Sequence, residues 1–283
     1  MKKINYNEML MMLWNQSPTV AAIGDWGNWT NQEKKLFDSL LKTEELEKAI
    51  ILISDNYNIE NTISDNIVLK YASDHDIKLI NWNCMKGFER SYQKIKNDLN
   101  IRKIIVKSNQ SDLNLIIEAF GKENVIVIDV EAQDLNDLNL KAMKEALLTG
   151  DLEQYKKLSG GNFTFTGHVV KGKQIGRQIG FPTANINTEH KLKIIQGVYW
   201  VKVTLPNEDF FRWGIASFRD NTDGVEVFET NILDFNKDIY GWRMEVELVK
   251  FIRPNTKVNS LDELKELIEA DKNNALEFIK NYK

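Results

Sequence analysis

The residues whose types and spacing could do chemistry are concentrated in one run of nineteen, Gly167 to Asn185, reading GHVVKGKQIGRQIGFPTAN. Gly172, Gly176 and Gly180 are interleaved with Lys171, Lys173 and Arg177, and the run closes on Pro182-Thr183-Ala184-Asn185. Glycine lets the backbone turn sharply and brings its N–H groups close to a phosphate. The basic side chains add positive charge, and the Thr183 hydroxyl and Asn185 amide offer oxygens that a hard cation such as Mg²⁺ accepts. That is the chemistry of a nucleotide-phosphate site. Each piece alone has a plainer reading, because glycine-rich loops are usually turns, and Thr and Asn after Pro are turn formers. A second candidate, Glu229, lies in the alternating run Val225–Thr230 on the strand face of Val225 and Val227. An isolated carboxylate there commonly sits at a strand edge and faces water.

The elements that must position these residues fall into two rhythms. Up to about residue 158, short apolar runs (Thr19–Ile23, Ala49–Ser54, Ile77–Ile80, Ile104–Lys107, Val125–Asp129) alternate with amphipathic stretches (Gln32–Leu41, Phe88–Leu99, Leu113–Phe120). Such alternation predicts an α/β domain, a parallel sheet flanked by helices. Helical pieces over Lys141–Leu148 and Leu152–Leu158 close this half, and the breaker cluster Ser159-Gly160-Gly161-Asn162 reads as a linker. The period then changes to two. Tyr199, Val201, Val203 and Leu205 share one strand face, as do Trp242, Met244, Val246 and Leu248, with Glu245 and Glu247 opposite. Strands without intervening helices predict an antiparallel sheet or small barrel. The chain ends in a helix opened by a Ser260/Glu263 capping box, with Leu261, Leu264, Leu267 and Ile268 as its buried stripe. Domains over 1–158 and 161–283 follow.

Composition narrows the function classes. The chain has 283 residues, 42% hydrophobic and 28% charged, with a net charge of −4 and a pI near 5.6. That balance argues against broad nucleic-acid binding, which leaves a basic footprint. Its single cysteine, Cys84, excludes an internal disulfide and a cysteine-based metal cluster, and His75, His168 and His190 lack metal-ligand spacing. The N-terminal residues lack the apolar core of a signal peptide, and no run approaches the roughly 18 apolar residues of a membrane span. The expectation is a cytoplasmic protein with no membrane partner; the oligomeric state is not fixed by the sequence.

The run Gly167–Asn185 closely resembles the riboflavin kinase module of bacterial bifunctional riboflavin kinase/FAD synthetases, fitting the pattern G-x-V-x-x-G-x-x-x-G-R-x-x-G-F-P-T-A-N without a gap. Two further motifs follow in order. Glu229 leads into Leu233-Asp234-Phe235 and then Tyr240-Gly241, and Ile252-Arg253-Pro254 precedes the segment Ser260–Asp271. The resemblance covers Gly161 to the end and implies a six-stranded barrel with a C-terminal helix. It implies ATP as the phosphoryl donor, with Gly172, Lys173, Gly176, Arg177, Pro182 and Asn185 on the nucleotide. Thr183 and Asn185 would be Mg²⁺ ligands, Glu229 the general base on the riboflavin 5′-hydroxyl, and Arg253 a flavin-side residue. No G-x-x-x-x-G-K-[ST] occurs, so this is not a P-loop kinase.

The first half resembles that family's FMN adenylyltransferase domain, a Rossmann-like nucleotidyltransferase, with its motifs lost. The segment Lys144-Glu-Ala-Leu-Leu-Thr-Gly150-Asp151 matches. Where the family has G-N-F-D-G-V-H-x-G-H, however, Gly24–Glu33 places Thr30 and Glu33 at the two histidines. A carboxylate there opposes bound phosphates. The Ser-Ser-Thr-x-x-Arg motif reads Asn139–Lys144, and the D-F-R-F-G stretch has no counterpart in Lys107–Leu113. Trp26 and Trp29 either stack on a ring or fill a remodelled core. The barrel half departs too, at Gly214–Thr222, where the pattern's inner glycine is Arg219 and its asparagine is Ser217. The expected function is a Mg²⁺/ATP-dependent riboflavin kinase making FMN, without FAD synthesis. The alternative is a catalytically impaired flavin- or nucleotide-binding protein, a sensor or the partner of an active paralogue.

Overall fold

The computed structural model describes residues 3–6, 17–44, 46–53, 62–82, 90–131, 138–188, 191–206, 208–220 and 225–282. Ser54, Cys84, Phe88, His190 and the 221–224 part of the departing loop, all used above, lie outside these residues. Contacts divide the chain into two compact units, Met1–Lys141 and Ala142–Lys283.

The first unit carries β1 (Lys3–Tyr6), β2 (Thr19–Ile23), α1 (Asn31–Lys42), β3 (Glu47–Ile53), α2 (Asp65–Asp74), β4 (Ile77–Trp82), α3 (Tyr92–Asp98), β5 (Ile101–Lys107), α4 (Leu113–Phe120) and β6 (Val125–Ile128). Its strands pair in parallel in the order β1-β4-β3-β2-β5-β6. Every residue of β2 is buried, as expected of a central parallel strand covered on both faces. The core of Ile23, Ile51, Ile80, Trp82, Ile104, Val106, Ile116 and Phe120 joins the sheet to α3 and α4. The expected α/β architecture is present. Sequence periodicity missed β1, a short strand of mixed polarity defined by its pairing with β4, and α2.

The division between units falls inside α5 (Leu138–Thr149). The rest of that helix and α6 (Leu152–Ser159) lie in the second unit, whose Gly150 shows why. Its φ is +81°, and a Cβ there would stand 2.8 Å from Cγ of Phe251. Only glycine fits that turn without strain. Asp151 then caps α6, accepting from the Gln154 N–H at 2.9 Å. The cluster Ser159–Asn162, expected as a linker, therefore lies within the second unit.

After α6 come β7 (Thr164–Val170), the one-turn α7 (Ile175–Gln178), β8 (Ala184–Thr188), β9 (Gly197–Thr204), β10 (Phe211–Asp220), β11 (Glu226–Ile232), β12 (Arg243–Arg253) and α8 (Leu261–Asn281). The strands close an antiparallel six-stranded barrel in the order β10-β11-β8-β7-β12-β9. Alternation sorts the side chains. Tyr199, Val201, Val203, Phe218, Phe228, Met244, Val246 and Leu248 are buried on one face. Val198, Trp200 and Ile215, of opposite parity, pack with Leu233 and with Ala275 of α8. Three details differ from expectation. Trp242 precedes β12 and is 41% exposed, and Leu261 is 51% exposed. Ser260 does cap α8, but Glu263 accepts from the Asn259 N–H at 2.8 Å rather than from the cap residue's own.

Candidate functional site

One row across five strands organises the second unit's site. Asn185 of β8 pairs with Glu229 of β11, Glu229 with Ser217 of β10, Ser217 with Val198 of β9, and Val198 with Arg253 of β12. All five line a cavity of about 330 Å³, within the range of small-molecule sites. They lie on the barrel's α8 side, and Leu264, Leu267, Ile268 and Asp271 of that helix supply the facing wall. The apolar stripe of α8 is thus only half-buried: it lines an open pocket instead of closing a core.

The predicted residues are distributed as follows. Lys173, Gly176, Thr183, Asn185, Glu229 and Arg253 line this cavity. Arg177 and Pro182 line a second, of about 430 Å³, bordered by Phe235, Lys237 and Tyr240. Thr183 borders both. Gly172 lines neither, but a Cβ there would lie 2.3 Å from Nδ2 of Asn185, so the glycine lets the amide pack on its backbone. Gly176 acts similarly: a Cβ would meet the Phe181 carbonyl oxygen at 2.3 Å, and the Phe181 N–H donates to the Gly176 carbonyl at 2.8 Å. These two glycines hold the loop tightly folded between the cavities. The Pro182 carbonyl is in turn pinned to β11 by the Asn231 amide at 2.7 Å. Beside the second cavity, the fully buried Thr230 hydroxyl has no hydrogen-bond partner among the described residues.

Two ion pairs fix the charges. Arg219 donates from Nη2 to Oε1 of Glu229 at 3.1 Å. Arg253 grips Asp271 of α8 with both arms, Nη2 to Oδ2 at 2.7 Å and Nε to Oδ1 at 3.1 Å, and also donates to the Pro254 carbonyl and the Thr256 hydroxyl. Arg253 therefore bolts α8 over the cavity. Sequence reasoning missed Asp271, although an acid inside the stripe Leu264, Leu267, Ile268, Ala275 was the available signal. It registered Arg219 only as a departure from a pattern. Among the described residues no three His, Cys, Asp or Glu cluster as a metal site. The Thr183 hydroxyl and Asn185 side-chain carbonyl, both lining the cavity, offer hard oxygen donors. That suits Mg²⁺, which keeps most of its shell in water and phosphate oxygens.

The first unit has its own default ligand crevice. Its strand order reverses between β2 and β5, and open α/β sheets bind ligands outside the carboxyl ends of the strands at such a point. Here α1 begins with a full capping box. The Thr30 side chain accepts from the Gln32 N–H at 3.2 Å, and Glu33 reaches back to accept from the Thr30 N–H at 3.1 Å. Glu33 is 1% exposed. It also accepts from the Thr30 hydroxyl and the Asp25 N–H, and it pairs with Lys107 at the end of β5 at 2.8 Å. The helix start and the end of the neighbouring strand are joined by an internal ion pair at the switch point. Trp26 is fully buried, donating to the Ile51 carbonyl at 3.0 Å, and Trp29 packs against Trp26, Phe37 and Tyr71. Both tryptophans belong to a packed aromatic cluster.

Residues 159–279 match the family Flavokinase: Riboflavin kinase. A bifunctional riboflavin kinase/FMN adenylyltransferase from Haemophilus influenzae is 38% identical over 148 residues, 51% of this chain and 48% of that protein. The protein of that description from Bacillus subtilis is 26% identical over 253 residues, 87% of this chain and 75% of its own. This chain thus spans about half the length of the Haemophilus relative. A crystal structure of a macrolide-efflux protein from Streptococcus pneumoniae shares the fold, with a TM-score of 0.55 at 21% identity, covering 96% of this chain and 97% of that one.

Two substitutions test the ion pairs. Lys107→Met leaves the Glu33 carboxylate buried without its cation and should destabilise the first unit by about 2–4 kcal/mol. Denaturant unfolding measures this, and the double variant Glu33→Gln/Lys107→Met should recover most of it. A loss below about 0.5 kcal/mol would show that the pair contributes little. Arg253→Ala removes charged hydrogen bonds of a kind worth about 1.5–3 kcal/mol. Hydrogen exchange should accelerate across amides 264–271, and unchanged protection would rule out Arg253 as the bolt.

Proposed function

We propose, from the match of residues 159–279 to the riboflavin kinase family, that this chain transfers the γ-phosphate of ATP to the 5′-hydroxyl of riboflavin, giving FMN and ADP. The observation that carries the reading is the cross-strand row, which puts Asn185, Glu229 and Arg253 around one cavity. The match beginning at residue 159 supports 161–283 as the kinase domain and 1–158 as the adenylyltransferase-like one, although contacts attach 142–158 to the second unit.

In this mechanism Glu229 is the catalytic base. A primary alcohol is a weak nucleophile at neutral pH, so a carboxylate within about 2.6–3.2 Å takes its proton as it attacks. The hydroxyl oxygen bonds to the γ-phosphorus, the bond to the bridging oxygen of ADP breaks, ADP leaves, and the proton passes to Glu229. Arg219 holds Oε1 of Glu229, which leaves Oε2 for the hydroxyl. Lys173 and Arg177 supply positive charge to the phosphates, and Gly172, Gly176 and Pro182 shape the loop that lies against them. Thr183 and Asn185 would hold Mg²⁺, which neutralises phosphate charge when bound. Arg253 serves the flavin through α8, setting the apolar wall of Leu264, Leu267 and Ile268.

The first unit makes no FAD in this proposal. Thr30 and Glu33 stand at the resembled motif's histidines, and the Glu33–Lys107 pair sits in the crevice where a nucleotide would bind. A negative net charge accords with small-molecule partners rather than nucleic acid, and no described helix is long and apolar enough to cross a membrane; we place the protein in the cytoplasm. One observation favours the second reading, a flavin-binding protein without turnover: the base is already engaged by Arg219.

Incubation with riboflavin, ATP and Mg²⁺, followed by chromatography of the flavins, decides between them. FMN should form, and Glu229→Gln should lower its rate by about 10²–10⁴-fold. Riboflavin binding without FMN would support the sensor, and an unaffected variant would remove Glu229 from the mechanism. Offered FMN and ATP, the protein should yield no FAD; FAD at a rate near that of FMN formation would overturn the silent first unit.

A further inference from the structure

We infer that Arg219 is a clamp for the 5′-phosphate of the product, so that the cavity holds a phosphorylated flavin more tightly than the free vitamin. The inference rests on the kinase reading and concerns what that site does once phosphate has been transferred.

Arg219 stands opposite Val227 in the β10–β11 register and reaches diagonally to Glu229, two residues along, where Nη2 meets Oε1 at 3.1 Å. Its side chain is 41% exposed, and it lines the 330 Å³ cavity. The guanidinium is thus placed at the base, on the ligand side, with solvent-facing donors remaining. Of the charged side chains on that wall, Arg253 and Asp271 are tied to one another. Lys173 and the Arg219–Glu229 pair complete the charged lining.

The reaction changes the charge at this point. Before transfer, the group facing Glu229 is a neutral hydroxyl. After transfer, the same oxygen carries a phosphate of about −1.5 to −2 charges. Because the base lies within hydrogen-bond reach of that oxygen, the phosphate forms within about 5 Å of the carboxylate. Once Glu229 has given up the proton it took, its carboxylate alone would repel the product. A guanidinium carries five N–H donors in a planar fork, and it pairs bidentately with phosphate. Arg219 can turn its free arm to the phosphate while its other arm stays on Glu229. Riboflavin offers that arm only neutral hydroxyl oxygens, which bind a guanidinium more weakly than a phosphate does.

Flavin fluorescence titrations with riboflavin and with FMN test this on the full chain. The native protein should bind FMN at least about tenfold more tightly than riboflavin. Arg219→Ala should weaken FMN about tenfold or more and leave riboflavin within about twofold, the size expected for a charged hydrogen bond. Arg219→Lys should recover only part of the loss, because an ammonium cannot match the fork. Glu229→Gln should tighten FMN, since the repelling charge is gone and the guanidinium is released. Riboflavin binding that persists in Arg219→Ala reports an intact cavity, and unchanged FMN affinity in that variant overturns the clamp. Arg219-dependent FMN binding without FMN synthesis keeps the clamp and refutes turnover. Failure of the native protein to bind either flavin refutes both.

Discussion

The pairing of β11 between β8 and β10 is the constraint on which the second unit depends. Strand side chains alternate with period two, so this register alone decides that Phe228, Thr230 and Ile232 are buried while Glu229 and Asn231 face the cavity side. A slip of one residue would turn a carboxylate into the barrel and a phenylalanine out of it. Packing forbids that slip, because Phe228 meets both Phe165 and Phe218. The apolar interior therefore sets the position of the polar row outside it. The core places the Glu229 carboxylate, and Asn185 and Ser217 fall beside it because their own strands obey the same alternation.

The two units use carboxylates in opposite ways. Glu33 is buried, bridged to Lys107, and accepts from two backbone N–H groups and a hydroxyl. Such a group is satisfied in place and has little left to offer a ligand. Glu229 is partly exposed, has one guanidinium partner and borders a cavity. A carboxylate that must accept a proton from a substrate needs that incompleteness. The contrast, drawn without reference to any motif, favours the barrel carboxylate as the one open to a ligand.

Much of this was legible in the sequence, and the failures have physical causes. The runs Thr19–Ile23 and Leu113–Phe120 fall on β2 and α4 residue for residue, because continuous burial and a strong amphipathic period are local signals. β1 is a strand only through its pairing with β4, which four residues of mixed polarity do not announce. The stripe on α8 was read as core because apolar spacing does not distinguish a buried face from the wall of a pocket. Glu229, Asn185 and Arg253 were readable as candidates. Their common row was not, since it spans five strands from residue 185 to 253. The pairings Arg219–Glu229 and Arg253–Asp271 are likewise tertiary facts.

On the proposed reading, the first unit is a domain that gives up a site and keeps its fold. Its core is made by sheet residues such as Ile23, Ile51, Ile104 and Val106, while the crevice at the strand-order reversal is made by loop and helix-start residues that the core does not need. A working phosphate site holds helix-start N–H groups and cations available for an absent anion, an arrangement that contributes nothing to folding. Supplying the anion internally reverses this. With Glu33 the helix start gains a capping box, the N-terminal end of its dipole gains a negative charge, and Lys107 gains a partner. Replacement of a ligand site by its own internal ligand favours stability over binding. With that carboxylate buried and paired, binding an anion at this helix start would require displacing it from its partners.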